Sequence, residues 1–470
     1  MMVRAAAPPD DPARRYRVEL AVLLAAVAFS YASIASTLAV DWNSWARMGL
    51  VFSIVERGEA HIDRFVLAGL TGDWARSGGH YYTGKAPGPS LLAVPGYFVQ
   101  HRLQRALGVA DDRPMPRAIA LYVANLTVSV APTLGALALF WVVLARWFGP
   151  AVAFALAGTW AVGSLALPYS VLFFGHQTAA AFFAIGMCLS LLELDRPGGW
   201  RPRRIALAGL AMGVAVISEY LCVALVAVWT GYLAWRTGFA WRLLAAWALG
   251  GAGPAVVAMV YHTLCYGSPF VTAYSAAVLN PIFVPYAAWE APSVNRLLDL
   301  TVRPWRGLFY ATPVFALMLV GVDRLWSERR ARAELVTAAV GVTLYLGLLS
   351  ALPLSYGGDC IGPRYFTVAL PLATLLLAPA ARAVPALFAG LAGISAVTML
   401  AVSLTDPIVD ERILDPLREK IWPHLAAGDD VRMRNVFTRV FGLDLRLAFA
   451  AYLALWAGVA AWLAARLRRA

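Results

Sequence analysis

The sequence predicts an all-α polytopic membrane protein, with about twelve transmembrane helices and a long first outer loop that carries interfacial helices. Three observations predict it. The 470-residue chain is 60% hydrophobic and 14% charged, whereas a soluble domain is about half apolar and about 25% charged. Apolar runs long enough to span a bilayer recur along the chain, separated by short arginine-bearing segments. Between the first two runs lies a stretch of different character. Residues 41–88 hold five carboxylates, two histidines and five Lys or Arg residues.

Residues 1–17 read as a cytoplasmic tail, Pro-rich and polar over 1–13. Arg14, Arg15 and Arg17 precede the first apolar run, 18–40, which is longer than a signal-peptide core and long enough to cross a core of about 30 Å. The other spans are expected near 118–145, 150–172, 176–194, 204–217, 219–236, 241–263, 306–322, 333–352, 364–380, 384–405 and 446–466. Residues 18–470 thus form one transmembrane domain, with 41–117 as first outer loop and 406–445 as last. That last loop is expected to cover a cavity, to bind an acceptor, or simply to connect two spans.

Arginines set the sidedness. Arg146, Arg196, Arg201, Arg203, Arg204, Arg236, Arg242, Arg324, Arg329, Arg330, Arg332, Arg382, Arg466, Arg468 and Arg469 fall on the same side as the N-terminal tail, which is therefore cytoplasmic. The net charge of +12 is explained by this placement, and no nucleic-acid partner is expected. Within the first outer loop, 43–58 alternates Trp45, Met48, Phe52 and Val55 with Arg47, Glu56 and Arg57, the pattern of an interfacial helix. Residues 87–98 contain three prolines, run on into basic sequence, and read as a second one. Cys265 and Cys360 both fall in outer loops, which leaves a disulfide open.

The chemistry-bearing residues concentrate on the outer side. Asp41 sits where the first span ends. A carboxylate there serves either as general base or as the cap of the next helix, and residue type alone favours the cap. Asp63 and Asp73 compete as bases, each with an Asx-turn as the plain reading. The string GHYYTGKAPG at 79–88 offers His80, Tyr81, Tyr82 and Lys85 for a phosphate or a sugar, or is a tight surface turn. Arg47 is a further candidate substrate contact. His176, Glu219, Tyr220, Tyr266, Arg303, Asp359 and Arg364 all fall at outer ends of spans, where an ionisable group is a functional candidate by default. Lys85, Arg303 and Arg364 would hold a phosphate. Asp41, Asp63, Asp73 and Asp359 would supply a base or ligands for a divalent metal ion.

Five strings carry a resemblance: NSWARMGLVFSIVERGEAHID, TGDWARSGGHYYTGKAPGPSLLAVP, FFGHQTAAAFF, YGSPF and GPRYF. With them the chain resembles the polyprenyl-phosphate-dependent integral-membrane glycosyltransferases of the GT-C superfamily, near the protein O-mannosyltransferase and aminoarabinose transferase group. It departs at Thr83-Gly84, where relatives carry Ser-Asp. The resemblance implies a GT-C-like fold, a polyprenyl-phosphate sugar donor, and a catalytic Asp in the first outer loop. It also implies a glycan, lipid or protein acceptor and a bacterial-type inner membrane with the site facing outward. By position the Asp is Asp41; by local string, Asp63 or Asp73. Some members of the superfamily use a divalent metal and others do not. A transporter or flippase of a lipid-linked substrate is the competing class, and an assembly partner docking through 41–117 is the third.

Overall fold

The computed structural model describes residues 12–37, 41–428 and 436–469. The residues 38–40 of the first expected span, and 429–435 of the last expected outer loop, lie outside them. The main elements are α1 (Arg17–Ile34), α2 (Trp42–Arg57), β1 (Trp74–Ser77), β2 (His80–Thr83) and α3 (Gly88–Ala106). They continue with α4 (Pro114–Phe148), α5 (Pro150–Val162), α6 (Gly175–Leu194), α7 (Pro202–Ser218), α8 (Cys222–Arg236) and α9 (Trp241–Tyr266). The last are α10 (Val294–Thr301), α11 (Arg332–Ser350), α12 (Pro385–Leu404) and α13 (Leu445–Arg469).

Among the described residues seven helices are long and apolar enough to cross a membrane: α1, α4, α6, α9, α11, α12 and α13. The expected count of about twelve is therefore not met by continuous helices. The other apolar runs are helical but short or broken. α5, α7 and α8 have 13, 17 and 15 residues. The run at 306–322 breaks at Pro313, which has no N–H to continue the preceding turn. The run at 364–380 splits into a 3₁₀ segment Arg364–Ala369 and two single-turn helices, each opening with a proline in its first turn.

The arginine-bearing ends meet at one end of the bundle. Glu19 pairs with Arg466 at 2.9 Å, Tyr16 packs on Trp141, Trp147 donates to Asp195 at 3.3 Å, and the Tyr232 hydroxyl donates to Glu334 at 2.6 Å. α7 and α9 touch backbone to backbone. A Cβ on Gly209 would lie 2.0 Å from the Trp247 carbonyl oxygen, and one on Gly250 would lie 1.9 Å from that of Ala206. Gly209 and Gly213 form the small-xxx-small spacing that permits such close approach in lipid.

The opposite end carries residues 41–117, the expected first outer loop, which have their own apolar core. Met48, Leu50, Phe52, Phe65, Tyr97 and Leu121 pack there with Tyr261 and Tyr266 from the end of α9. Two expectations need correction. α2 has the anticipated length, closed by Gly58 in the left-handed region (φ 71°), but it does not lie with a polar face in water. Arg47 is 1% exposed, and Glu56 is enclosed by Arg64, Arg117 and Tyr97. Charges on a helix face are therefore not evidence of a solvated face here, because loop partners arrive to satisfy them. α3 runs on from the expected 87–98 and leaves Phe98, Val99, Leu103 and Leu107 exposed.

Second, the chain is not purely helical. β1 and β2 form an antiparallel hairpin with Trp74 opposite Thr83 and Ser77 opposite His80. Its turn is Gly78-Gly79, both at positive φ (57° and 87°), as a two-residue hairpin turn of the I′ kind requires. The Gly-Gly pair between WARS and HYYT was the readable signal. All four cysteines are free and buried, so the disulfide left open for Cys265 and Cys360 is not formed.

The α7–α9 contact predicts that Gly250→Leu lowers stability by about 3 kcal/mol, since a backbone carbonyl cannot give way as a side-chain tip can. Gly253→Ala, which meets open space, should be neutral or slightly stabilising. Thermal unfolding of the detergent-purified variants measures both.

Candidate active site

Residues from distant parts of the chain, Phe174 and the 272–289 segment among them, enclose a cavity of ≈ 820 Å³ at the end of the bundle that carries residues 41–117, and four of those parts supply its charged groups. The first part is the start of α2. Asp41 has extended backbone (φ −130°, ψ 156°) and caps the helix. Its Oδ1 accepts the Ser44 N–H at 2.8 Å and its Oδ2 accepts the Ser44 hydroxyl at 2.8 Å. The same carboxylate lines the cavity. The cap and the candidate base are thus one residue, since capping fixes the carboxylate in place without taking it out of the cavity. Burial raises its affinity for a proton above the ordinary carboxylate value, and the two Ser44 hydrogen bonds work against that rise.

The second part is the hairpin. Asp73 precedes β1, Lys85 follows β2, and their side chains pair at 3.0 Å inside the cavity. Gly84 makes this closure possible. Its N–H bonds the Asp73 carbonyl at 2.9 Å, and a Cβ there would fall 2.9 Å from the Asp73 carbonyl carbon. The departure from Ser-Asp at 83–84 therefore fits the local packing: position 84 has no room for a side chain. Burial pushes the Lys85 ammonium below its usual range, and the Asp73 carboxylate pulls it back up.

The third part is the turn between α7 and α8. Glu219 and Tyr220 both line the cavity. Glu219 Oε2 lies 2.9 Å from Nδ1 of His176, which is fully buried in the first turn of α6 and stands behind Glu219. The Tyr220 hydroxyl lies 2.6 Å from His262 Nε2. The close approach of α6 rests on Gly175, whose Cβ would sit 2.4 Å from the Ser218 carbonyl oxygen and 3.0 Å from Arg47 Nη2.

The fourth part is 357–365 with 408–411. Gly357, Gly358 and Gly362 are all at positive φ, and the loop folds its carbonyls onto Arg364, which hydrogen-bonds to the Gly357 and Asp359 oxygens. Phe174 and Tyr365 flank the guanidinium, with ring centres 5.2 and 5.9 Å away. Asp359 Oδ1 accepts the Glu411 N–H at 3.1 Å, and Glu411 Oε2 accepts the Tyr356 hydroxyl at 2.9 Å. Asp359, Arg364, Ile408 and Glu411 all line the cavity.

Of the residues singled out from the sequence, the cavity brings together Asp41, Asp73, Lys85, Glu219, Tyr220, Asp359 and Arg364. The others lie elsewhere. Arg47 is buried beneath the site, donating to Asn43 Oδ1 (2.8 Å) and the Ala86 carbonyl (2.9 Å). Asp63 accepts from the Tyr81 N–H and pairs with His80 on the far side of the hairpin. Tyr81 packs edge-on against Trp74, and Tyr82 does so against Tyr266, whose hydroxyl reaches the Thr83 carbonyl. Tyr82 and Tyr266 thus fix the hairpin to α9, while Tyr81 packs across its two strands. Arg303 is exposed and bonded to Asp299 (2.8 Å) and Asn295 (3.1 Å). The expected three-cation phosphate cradle thus reduces to Lys85 and Arg364. The four aspartates offered as metal ligands do not converge either: among the described residues no three carboxylates of the cavity have ligand atoms within 4.8 Å of one another.

Sequence reasoning passed over Glu411 and the rings of Trp42, Trp74, Phe174 and Trp289, which line the cavity with Tyr274 and Tyr365. Asp410-Glu411 in a loop otherwise unassigned was the only available sign of the first. Five carboxylates (Asp41, Asp73, Glu219, Asp359, Glu411) and two cations (Lys85, Arg364) face one space walled by aromatic rings. That combination suits a sugar between the rings, a phosphate on the cations, and a hydroxyl proton passing to a carboxylate.

No protein-family profile and no curated protein sequence matches this chain. Two solved structures share its fold. The crystal structure of ArnT from Cupriavidus metallidurans in the apo state aligns with a TM-score of 0.51 and 17% identity, covering 95% of this chain and 75% of that one. The crystal structure of the same protein bound to undecaprenyl phosphate aligns with a TM-score of 0.52 and 16% identity over the same shares.

Asp73 pairs with Lys85 at 3.0 Å, and its charge also favours the buried cations Arg47 and Arg364. Asp73→Asn should therefore destabilise the protein by about 3 kcal/mol, as breaking a buried pair does. Lys85→Met should cost less, because Asp73 keeps two arginines nearby. The double variant should recover part of the Asp73→Asn loss. Thermal unfolding of the four proteins tests this ordering.

Proposed function

We propose that this ArnT-like chain is a glycosyltransferase that takes a sugar from a polyprenyl-phosphate donor and passes it to a hydroxyl acceptor on the outer side of the membrane. One observation carries the reading: a raised-affinity carboxylate, Asp41, and a cation pair, Lys85 and Arg364, face the same aromatic-walled cavity. The shared fold with a protein crystallised with undecaprenyl phosphate supports the choice of donor. The gathering of arginines at the opposite end supports an outward-facing cavity, by the positive-inside tendency.

The chemistry is a single displacement. The acceptor O–H gives its proton to Asp41 as its oxygen attacks C1 of the sugar. The C1–O bond to phosphate breaks, and the polyprenyl phosphate leaves with the bonding electrons, its charge held by Lys85 and Arg364. Attack opposite the leaving group inverts C1. Phosphate leaves readily, so no general acid is required. Ser44 orients the Asp41 carboxylate, and His176 does the same for Glu219. Glu219, Asp359 and Glu411 remain to bind sugar or acceptor hydroxyls.

Asp41→Asn should lower transfer from a polyprenyl-phosphate sugar in proteoliposomes by about 10²–10⁴-fold while leaving the protein folded, since Asn still caps α2. A base must be ionised to work, so wild-type activity should fall as pH drops through the Asp41 pKa. The direction of the Asp41 shift places that acid limb above the ordinary carboxylate range. Normal turnover by Asp41→Asn would remove Asp41 from the mechanism. Counter-transport of lipid-linked substrate with no covalent product would replace transfer with translocation.

A further inference from the structure

Outside the cavity, His61, Asp63 and His80 form the only group of three His, Cys, Asp or Glu residues among those described whose ligand atoms lie within 4.8 Å of one another. His80 Nδ1 is 2.7 Å and His61 Nδ1 is 3.2 Å from the same oxygen, Asp63 Oδ2. The two imidazoles stack, with centroids 4.4 Å apart and planes 23° from parallel, so both nitrogens approach that oxygen from one side.

Each of the three side chains is held by a neighbour that leaves its inward atom free. Asp63 Oδ1 is engaged by the Tyr81 N–H at 2.6 Å, which leaves Oδ2. His61 turns its Nε2 edge toward Glu59 Oε2, 3.6 Å away, and its Nδ1 toward Asp63. His80 opens β2, and that strand is tied to the 61–63 segment by the Ile62 N–H to Tyr81 carbonyl bond at 2.7 Å. His80 is half exposed, so the inner face of the group is open to water.

We propose that His61, Asp63 and His80 form a binding site for a borderline divalent transition metal, Zn²⁺ foremost, with water in the fourth position. Two imidazole nitrogens and one carboxylate oxygen suit Zn²⁺ and not Mg²⁺ or Ca²⁺, which take oxygen ligands. Bonds of about 2.0–2.2 Å in a tetrahedral site put ligand atoms roughly 3.3–3.5 Å apart. The observed 2.7 and 3.2 Å need only a small spreading as the metal replaces the hydrogen-bonded proton. Glu59 takes the outer place on His61, the carboxylate–histidine–metal arrangement that orients ligating imidazoles. The metal staples the 59–63 turn to the hairpin whose ends carry Asp73 and Lys85. Its role is to fix the hairpin, and it does not depend on the reaction proposed for the cavity.

The test uses the full-length, tag-free protein in detergent, stripped with chelator, and Co²⁺ or Zn²⁺ alone as probe. Wild type should give visible Co²⁺ absorption bands that saturate at about one equivalent and are bleached by Zn²⁺. His61→Ala and His80→Ala should each weaken Zn²⁺ binding tenfold or more, and Glu59→Gln by about tenfold. X-ray absorption of the Zn²⁺-loaded wild type should show two imidazoles, a readout that needs no variant to fold. Absence of saturable binding by wild type, a zinc shell without imidazole, or wild-type affinity in the His61→Ala/His80→Ala double variant would overturn the assignment.

Discussion

The burial of the Arg47 guanidinium is the constraint on which the outer half of this structure depends. The side chain is 1% exposed, and an arginine does not shed its charge. Every element around it is therefore arranged to supply acceptors or negative field. Asn43 and the Ala86 carbonyl take its protons, while Glu219 and Asp73 lie close enough to offset its charge. Gly175 brings α6 against it, and Ser90 of α3 donates to the Arg47 carbonyl at 2.9 Å. The Arg47 guanidinium thus meets α2, the segment after the hairpin, α6 and the α7–α8 turn, and its backbone carbonyl holds α3. Those are the elements that carry Asp41, Lys85, His176 and Glu219.

The cavity inherits its charge pattern from that junction. Lys85 and Arg364 add two more positive centres within range of Arg47, and Asp73 answers all three. An anionic group entering such a site meets cations already desolvated, where electrostatic attraction is stronger than in water. The carboxylates not occupied by Lys85 lie around the same space: Asp41 on its helix cap, Glu219 against His176, Asp359 and Glu411 linked through the Glu411 N–H. Glycine supplies the tolerance this crowding needs, at Gly84 against the Asp73 backbone and at Gly357 against the Arg364 side chain.

Particular residues show how far the sequence can be read. Asp41 was legible as either cap or base, and the structure shows the cap with the carboxylate still facing the cavity, because a capping carboxylate can keep a face toward solvent. Lys85 and Arg364 were legible as cations at the outer ends of apolar runs. Arg303 had the same signature but is spent on Asp299 and Asn295 next to its own helix. Asp63 was offered as a base and His80 as a substrate contact, and instead they pair with each other outside the cavity. Tyr81 and Tyr82 looked like sugar platforms and instead pack on Trp74 within the hairpin and on Tyr266 of α9. In each of these cases the residue type was informative and the direction of the side chain was not.

Composition and the spacing of apolar runs determined by themselves that this is a helical membrane protein with a charged loop after its first span. Arginine placement determined which helix ends lie together. These follow from burial and solvation, which act on a run of residues whatever its partners. Tertiary structure alone decided which runs are continuous helices and which break at prolines such as Pro313, and it placed Glu411 beside Asp359 from 52 residues away. It also decided that Arg47 is buried and which three cations Asp73 serves. Such facts depend on side-chain direction and on contacts between distant segments, and neither has a period or a local pattern that a sequence can display.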